Sequence, residues 1–257
     1  MKHNILLAFT FAKRDFRERY VGTGLGQFWY ILSPLIMIFI YTVIFSDFMK
    51  MKMDVVSNDY AYSIYLIPGI LAWTSFSTTI MRLNTSFFEK SSLIKKINVP
   101  MYTFQLSIML TELFLLALSM LLAIFLLLII GQPITLIFLW IIPIILLQTL
   151  FAFALGVIFS LFTPFFKDLK EVIPIVIQLW FWMSPIIYLS TLVEEKYPFL
   201  LIYNPFYYFL EIFQNIFLYS KAPEFSNILY IISFTFSSLF IAGFLYKKMI
   251  STIKDII

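Results

Sequence analysis

The chain contains no cysteine, which removes disulfides, thiol nucleophiles, cysteine-ligated zinc and iron–sulfur clusters from consideration. Its single histidine, His3, excludes a histidine-based metal cluster, and its place near the N-terminus is read as excluding a catalytic triad as well. No G-x-x-x-x-G-K-[ST] run occurs in the 257 residues, so they hold no P-loop with which to hydrolyse ATP. Gly22, Gly24 and Gly26 lack the G-x-G-x-x-G spacing and follow no strand pattern. They read as a flexible elbow. Charge is also scarce, at 12% against about 25% in a soluble domain.

What fills the chain instead is apolar. Hydrophobic residues make up 61% and the mean hydropathy is +0.94, an excess that needs lipid as its solvent. A helical span takes about 20 mostly apolar residues. Six such runs are found: Phe28–Phe45, Tyr60–Ile80, Tyr102–Ile130, Leu136–Phe162, Val172–Leu189 and Ile228–Lys247. Leu, Ile and Phe occupy all sides of these runs, which suits helices in lipid rather than strands. The fold class expected is all-α integral membrane, with one membrane-embedded domain over residues 1–257. The N-terminal patch Ile5–Phe11 is short, leads into Lys13, Arg14 and Asp15, and has no small-residue cleavage site after it. It is not read as a signal peptide.

The cations orient the spans. With the N-terminus inside, only Lys50, Lys52, Lys196 and Lys221 of the 18 Lys and Arg fall outside, and every arginine falls inside. The positive-inside rule therefore predicts a cytoplasmic N-terminus and a cytoplasmic C-terminus.

Two segments do not span. Over residues 1–22, Ile5, Leu6, Phe9, Ala12, Phe16 and Tyr20 recur at helical spacings opposite Lys13, Arg14 and Arg17. This predicts an amphipathic helix lying in the inner interface. Residues 197–220, between spans five and six, are apolar but interrupted by Pro198 and Pro205 and by the polar pair Gln214 and Asn215. A full span there would carry Lys247, Lys248 and Lys254 outside, against the positive-inside rule. A re-entrant helical hairpin turning at Asn204-Pro205 is expected instead, beside protein or a water-filled path.

The loop over 87–100 reads FFEKSSLIKKINVP. Ser91 offers a helix cap, and Leu93, Ile94 and Ile97 form a small apolar face beside Lys95 and Lys96. That face predicts a short cytoplasmic helix covered by the membrane surface or by a partner. Glu112 is the span carboxylate singled out as expensive to bury; a bond to a neighbouring helix is its expected role. Gln105, Gln148 and Gln178 are read as helix–helix contacts. Aromatics reach 20%. Tyr60, Tyr62, Tyr102, Tyr188 and Tyr246 fit interface anchors. Trp73, Phe76, Trp180, Phe181 and Trp182 fall nearer mid-span, where packing is one account and a path lined for sugar rings is the other.

The order of these features resembles a known family. The run from Lys13 to Tyr20, then Gly22-Thr23-Gly24-Leu25-Gly26, Trp29 and Ser33-Pro34-Leu35 is similar to the N-terminal signature of ABC-2-type permeases, in the branch that exports O-antigen, capsule or teichoic acid. Asn84 through Lys95-Lys96 to Pro100 resembles that family's coupling-helix loop. Phe166-Lys167-Asp168-Leu169, Pro174, Gln178, Trp182 through Tyr188, and Asn204-Pro205 continue the likeness in order.

The resemblance implies a transporter subunit with no catalytic residues, cofactor or metal. It implies two copies of this chain with two copies of a separate ABC ATPase, in a bacterial inner (plasma) membrane. The substrate implied is a glycan on an undecaprenyl-type lipid. Lys13, Arg14, Arg17 and Arg19 are assigned to a lipid pyrophosphate or to anionic headgroups. Ser91, Leu93, Ile94, Lys95, Lys96 and Ile97 are assigned to ATPase docking. Tyr41, Tyr62, Trp73, Trp180 and Trp182 are assigned to channel lining. An ABC-2 permease for a drug or small lipid, and a membrane-embedded transferase, are the alternatives. The outside acids Asp47, Asp54, Asp59, Glu194 and Glu195 show no catalytic spacing that favours the transferase.

Overall fold

The computed structural model describes residues 2–44, 60–89 and 99–256, and every regular element among them is a helix. Helix α1 (Lys2–Glu18) is followed by a turn containing Gly22 (φ +86°) and Gly26 (φ +52°), left-handed positions where a side chain is strained. The glycine elbow is thus a sharp redirection into a 3-10 turn (Gly26–Phe28) and α2 (Trp29–Val43). Helix α3 spans Ala61–Glu89 and α4 spans Tyr102–Ile130. Gly131 (φ +81°) ends α4. Its N–H bonds to Leu128 O, and Gln132 N–H bonds to Leu127 O, the paired pattern that satisfies a helix's last carbonyls. A 3-10 turn (Leu136–Trp140) leads into α5 (Ile141–Phe162). Then follow α6 (Leu169–Met183), the short α7 (Ser190–Glu194) and α8 (Pro198–Ile202), α9 (Pro205–Tyr219) and α10 (Phe225–Ile256).

Among the described residues, five helical stretches are long and apolar enough to cross a membrane: Gly26–Val43, Ala61–Glu89, Tyr102–Ile130, Leu136–Phe162 and Phe225–Lys254. The fifth span expected from the sequence falls on α6, whose 15 residues rise about 22 Å against a hydrocarbon core of about 30 Å. Ser184 precedes Pro185 and is forced to extended backbone (ψ 134°), which stops α6. By length, five of the described helical stretches qualify. The second span also runs past its expected end at Ile80, because residues 81–89 contain neither glycine nor proline to halt it.

Helix α3 is the centre of the bundle. Most of it is buried, from Ala61 through Phe87. It packs on α5, α4 and α9, while α10 lies behind α5 and α1 lies along α4. Two glycines permit the closest crossings. A Cβ on Gly69 of α3 would meet Leu210 Cδ1 of α9 at 2.6 Å. One on Gly156 of α5 would meet Leu83 Cβ at 2.7 Å. Few residues of α2 and α10 are buried in the single chain, and α4 is exposed along one side, at Phe114, Leu121, Phe125, Leu128 and Ile129.

Candidate functional site

At the end of the bundle that carries α1, the apolar side of that helix is fixed first. Ala8 and Ala12 are buried against α4. Phe11 stacks on Phe104, and Phe16 stacks on Tyr30 with its edge to Phe114. Tyr30 Oη donates to Phe16 O at 2.7 Å, and Asn4 Nδ2 donates to Tyr102 Oη at 2.6 Å. These contacts set the rotation of α1, and the rotation decides where its charges go.

Asp15 faces inward and meets Arg82 of α3, whose Nη2 reaches both carboxylate oxygens at 2.7 Å. Arg82 Nη1 donates to Glu112 Oε1 of α4 at 2.6 Å, and Arg19 Nη1 donates to the same oxygen at 3.0 Å. Two anions and two cations from α1, the turn after it, α3 and α4 thus close into one neutral network. Glu112 is 3% exposed at its centre. A carboxylate buried that deeply needs partners in place of its water, and the two guanidinium groups supply them. Glu112 therefore has the bond to neighbouring helices expected of it.

The four cations assigned to phosphate differ in surroundings. Arg19 is held by Glu112. Arg14 pairs with Glu18 one turn away at 2.6 Å, both exposed. Lys13 and Arg17 are exposed, and neither has an ion pair among the described residues. Of the docking set, Ser91, Leu93, Ile94, Lys95, Lys96 and Ile97 lie outside the described residues.

The aromatic set gathers towards the other end. Trp73 is buried in contact with Phe76, Trp180, Phe181 and Phe206. Trp180 Nε1 donates to Asn204 Oδ1 at 2.8 Å, and Asn204 Nδ2 donates to Ser184 Oγ at 2.8 Å. The Asn204 oxygen also caps α9 by accepting from Phe206 N–H. Tyr62 Oη donates to Ile187 O, and Tyr65 Oη reaches Pro185 O and Tyr188 O, both at 3.1 Å. Gln214 Nε2 donates to Pro185 O at 3.3 Å. The irregular backbone between α6 and α7 is thereby satisfied by α3 and α9. Trp73, Trp180 and Tyr62 sit inside or against this core, and Tyr41 packs on its edge. Trp182 is 58% exposed.

Sequence reasoning missed several residues. Arg82 was expected in a loop and is a helix residue facing two acids; its signal was a cation one helix away from a carboxylate in a span. Asn84, read as the start of the coupling-helix loop, is instead buried within α3; it accepts from Thr163 Oγ1 and donates to Leu169 O at 3.3 Å, joining α3 to the end of α5 and the start of α6. Glu211 of α9 accepts from Asn227 Nδ2 at 3.1 Å. Gln105 and Gln148 bond across helices as expected, to Ser160 Oγ and Ala72 O, both at 2.8 Å, whereas Gln178 is exposed.

An all-helical bundle with several membrane-length helices, its ionisable groups paired inside it, is a multi-pass membrane protein. Residues 7–218 match the family described as ABC-2 type transporter, and the chain belongs to that family. Its relatives include an O-antigen export system permease protein RfbA of Klebsiella pneumoniae, 30% identical over 252 residues, which are 95% of this chain and 94% of the relative. A second K. pneumoniae RfbA is 30% identical over 211 residues, covering 80% and 79% of the two chains. The RfbA of Myxococcus xanthus is 26% identical over 220 residues, covering 85% and 82%.

Proposed function

We propose that this chain is the transmembrane subunit of an ATP-driven exporter that moves lipid-linked polysaccharide of the O-antigen type across the bacterial inner (plasma) membrane. The observation that carries the reading is the 30% identity to an O-antigen export permease across 95% of the chain. The lack of a P-loop in the sequence supports a separate ATPase, two copies serving two copies of this chain. The exposed faces of α2, α4 and α10 leave room for a second copy and for lipid. Six spans with both termini cytoplasmic follow from the distribution of Lys and Arg, with α6 and the extended residues after it as the fifth. Helices α8 and α9 would form the re-entrant hairpin, and residues 197–220 contain the capped turn at Asn204 that such a hairpin needs.

In this reading the segment after Glu89, with Leu93, Ile94, Lys95 and Lys96, docks the ATPase. Lys13 and Arg17, the α1 cations without an ion pair among the described residues, meet the lipid pyrophosphate. Trp182 and Tyr41 face the glycan path between copies, and Trp73, Trp180 and Tyr62 shape its wall from behind.

The test is affinity purification of the chain from its native membrane. A stoichiometric P-loop ATPase is expected to co-elute, and loss of the gene is expected to leave glycan on its lipid inside the cell. Leu93→Asp is expected to abolish co-elution while the permease itself still purifies. A chain that elutes alone under gentle detergent, with surface glycan intact after gene loss, overturns the proposal.

A further inference from the structure

A cavity of about 210 Å³ opens between α2, α3, α4 and the turn after α1. Its wall is polar at the α1 end, where Arg19, Tyr20 and Glu112 contribute, and apolar towards mid-bundle, where Leu71 and Leu116 do. Three features there are unspent. Both hydrogen bonds to Glu112 fall on Oε1, and no donor among the described residues reaches Oε2. The hydroxyls of Ser33, Ser75 and Thr78 line the same cavity and make no hydrogen bond among the described residues. Trp29 and Tyr20 add aromatic surface beside them.

A partner that offers several hydroxyls at once can reach these groups together through the open cavity. The charges bordering the cavity already cancel: Arg19 and Arg82 against Glu112 and Asp15. A net anion gains little there. An uncharged ring carrying several hydroxyls gains most, donating to Oε2, exchanging hydrogen bonds with the three hydroxyls and laying a C–H face on an aromatic ring. The apolar end, directed towards mid-bundle, suits the start of an acyl or prenyl chain.

We propose that this groove binds the uncharged sugar headgroup of a glycolipid, ring against Glu112 and chain along Leu71 and Leu116. It is separate from the aromatic cluster around Trp73 and from the exposed cations of α1. That the lipid comes from the inner leaflet rests on the exporter reading; the chemistry of the groove does not.

The test is native mass spectrometry of the purified chain with one lipid at a time: glucosyl-diacylglycerol, phosphatidylethanolamine or phosphatidylglycerol. The glucolipid is expected to be retained at least tenfold above the other two. The double variant Ser75→Ala, Thr78→Val leaves every ion pair untouched and is expected to reduce that retention to the level of the phospholipids. Equal retention of all three lipids, a preference for phosphatidylglycerol, or retention indifferent to the double variant overturns the proposal. The native chain has no cysteine, so Ser33→Cys gives a clean second readout. Efficient cross-linking between two copies at that position means a second copy covers the groove, and it overturns the proposal as well. A chain that co-purifies with an ATPase yet shows no glucolipid preference loses this inference alone; one that prefers the glucolipid but has no ATPase loses the exporter reading alone.

Discussion

The two ends of the bundle solve the same problem with different chemistry. At the α1 end, four charged side chains from separate elements neutralise one another around Glu112. At the other, neutral donors do the work: Trp180, Asn204 and Ser184 form a relay, and Tyr62, Tyr65 and Gln214 satisfy the carbonyls of Pro185, Ile187 and Tyr188. Charges suit the first end because three rigid helices and a turn meet there and each must be held in direction as well as in contact. Neutral groups suit the second because irregular backbone presents carbonyls, and a carbonyl needs only a donor. The difference lies in how each end fails. Removing one member of a buried ion network strands its partners as bare charges, whereas removing a neutral donor strands a dipole.

The largest expected effect is therefore Arg82→Leu. It leaves Asp15 without its partner and Glu112 with Arg19 alone, and should destabilise the chain by about 3–5 kcal/mol. Thermal unfolding of the purified chain checks this, and a loss under about 1 kcal/mol, the range of a solvent-screened pair, would break the comparison. Next is Asn204→Ala, which frees Trp180 Nε1–H and uncaps α9 at once. It should cost about 2 kcal/mol, below the charged end, with the loss concentrated in amide exchange of Phe206 and its neighbours. An effect as large as that of Arg82→Leu would mean that the neutral end is the stiffer of the two. The smallest is Arg14→Gln, which removes an exposed pair one helical turn apart. It should shift stability by about 0.5 kcal/mol or less in the same unfolding assay.

Much of this was legible in the sequence, for reasons visible in particular residues. Long apolar runs locate α3, α4, α5 and α10 because lipid enforces helix over their whole length. The amphipathic spacing of residues 5–20 located α1; of that face Ala12 and Phe16 pack inward together with Ala8 and Phe11, while Leu6 and Phe9 stay exposed. Pro198 and Pro205 marked interruptions, and each opens a helix, α8 and α9. The short α6 was not legible, since a run of apolar residues reads the same whether its last turn is helical or extended. Arg82 was not either, because hydropathy treats any cation at the edge of a span as a loop residue, and its meeting with Asp15 depends on how α1 is rotated by Phe11 and Phe16. Gly69 and Gly156 carry no local signal: their role is set by Leu210 and Leu83, far away along the chain.

The position of Arg82 along α3 has a further consequence. From Ala61 to Arg82 is 21 residue steps, about 32 Å of helix, close to the roughly 30 Å of a bilayer's hydrocarbon. The ionic knot thus sits about one hydrocarbon thickness from the opposite end of the most deeply enclosed helix. Adding or removing a few ångströms of lipid would draw the knot into oil or lift it into headgroups, at a fraction of a kcal/mol per ångström. The length of α3 between Ala61 and Arg82 thus matches one hydrocarbon thickness, with the charges near α1 at one edge of it.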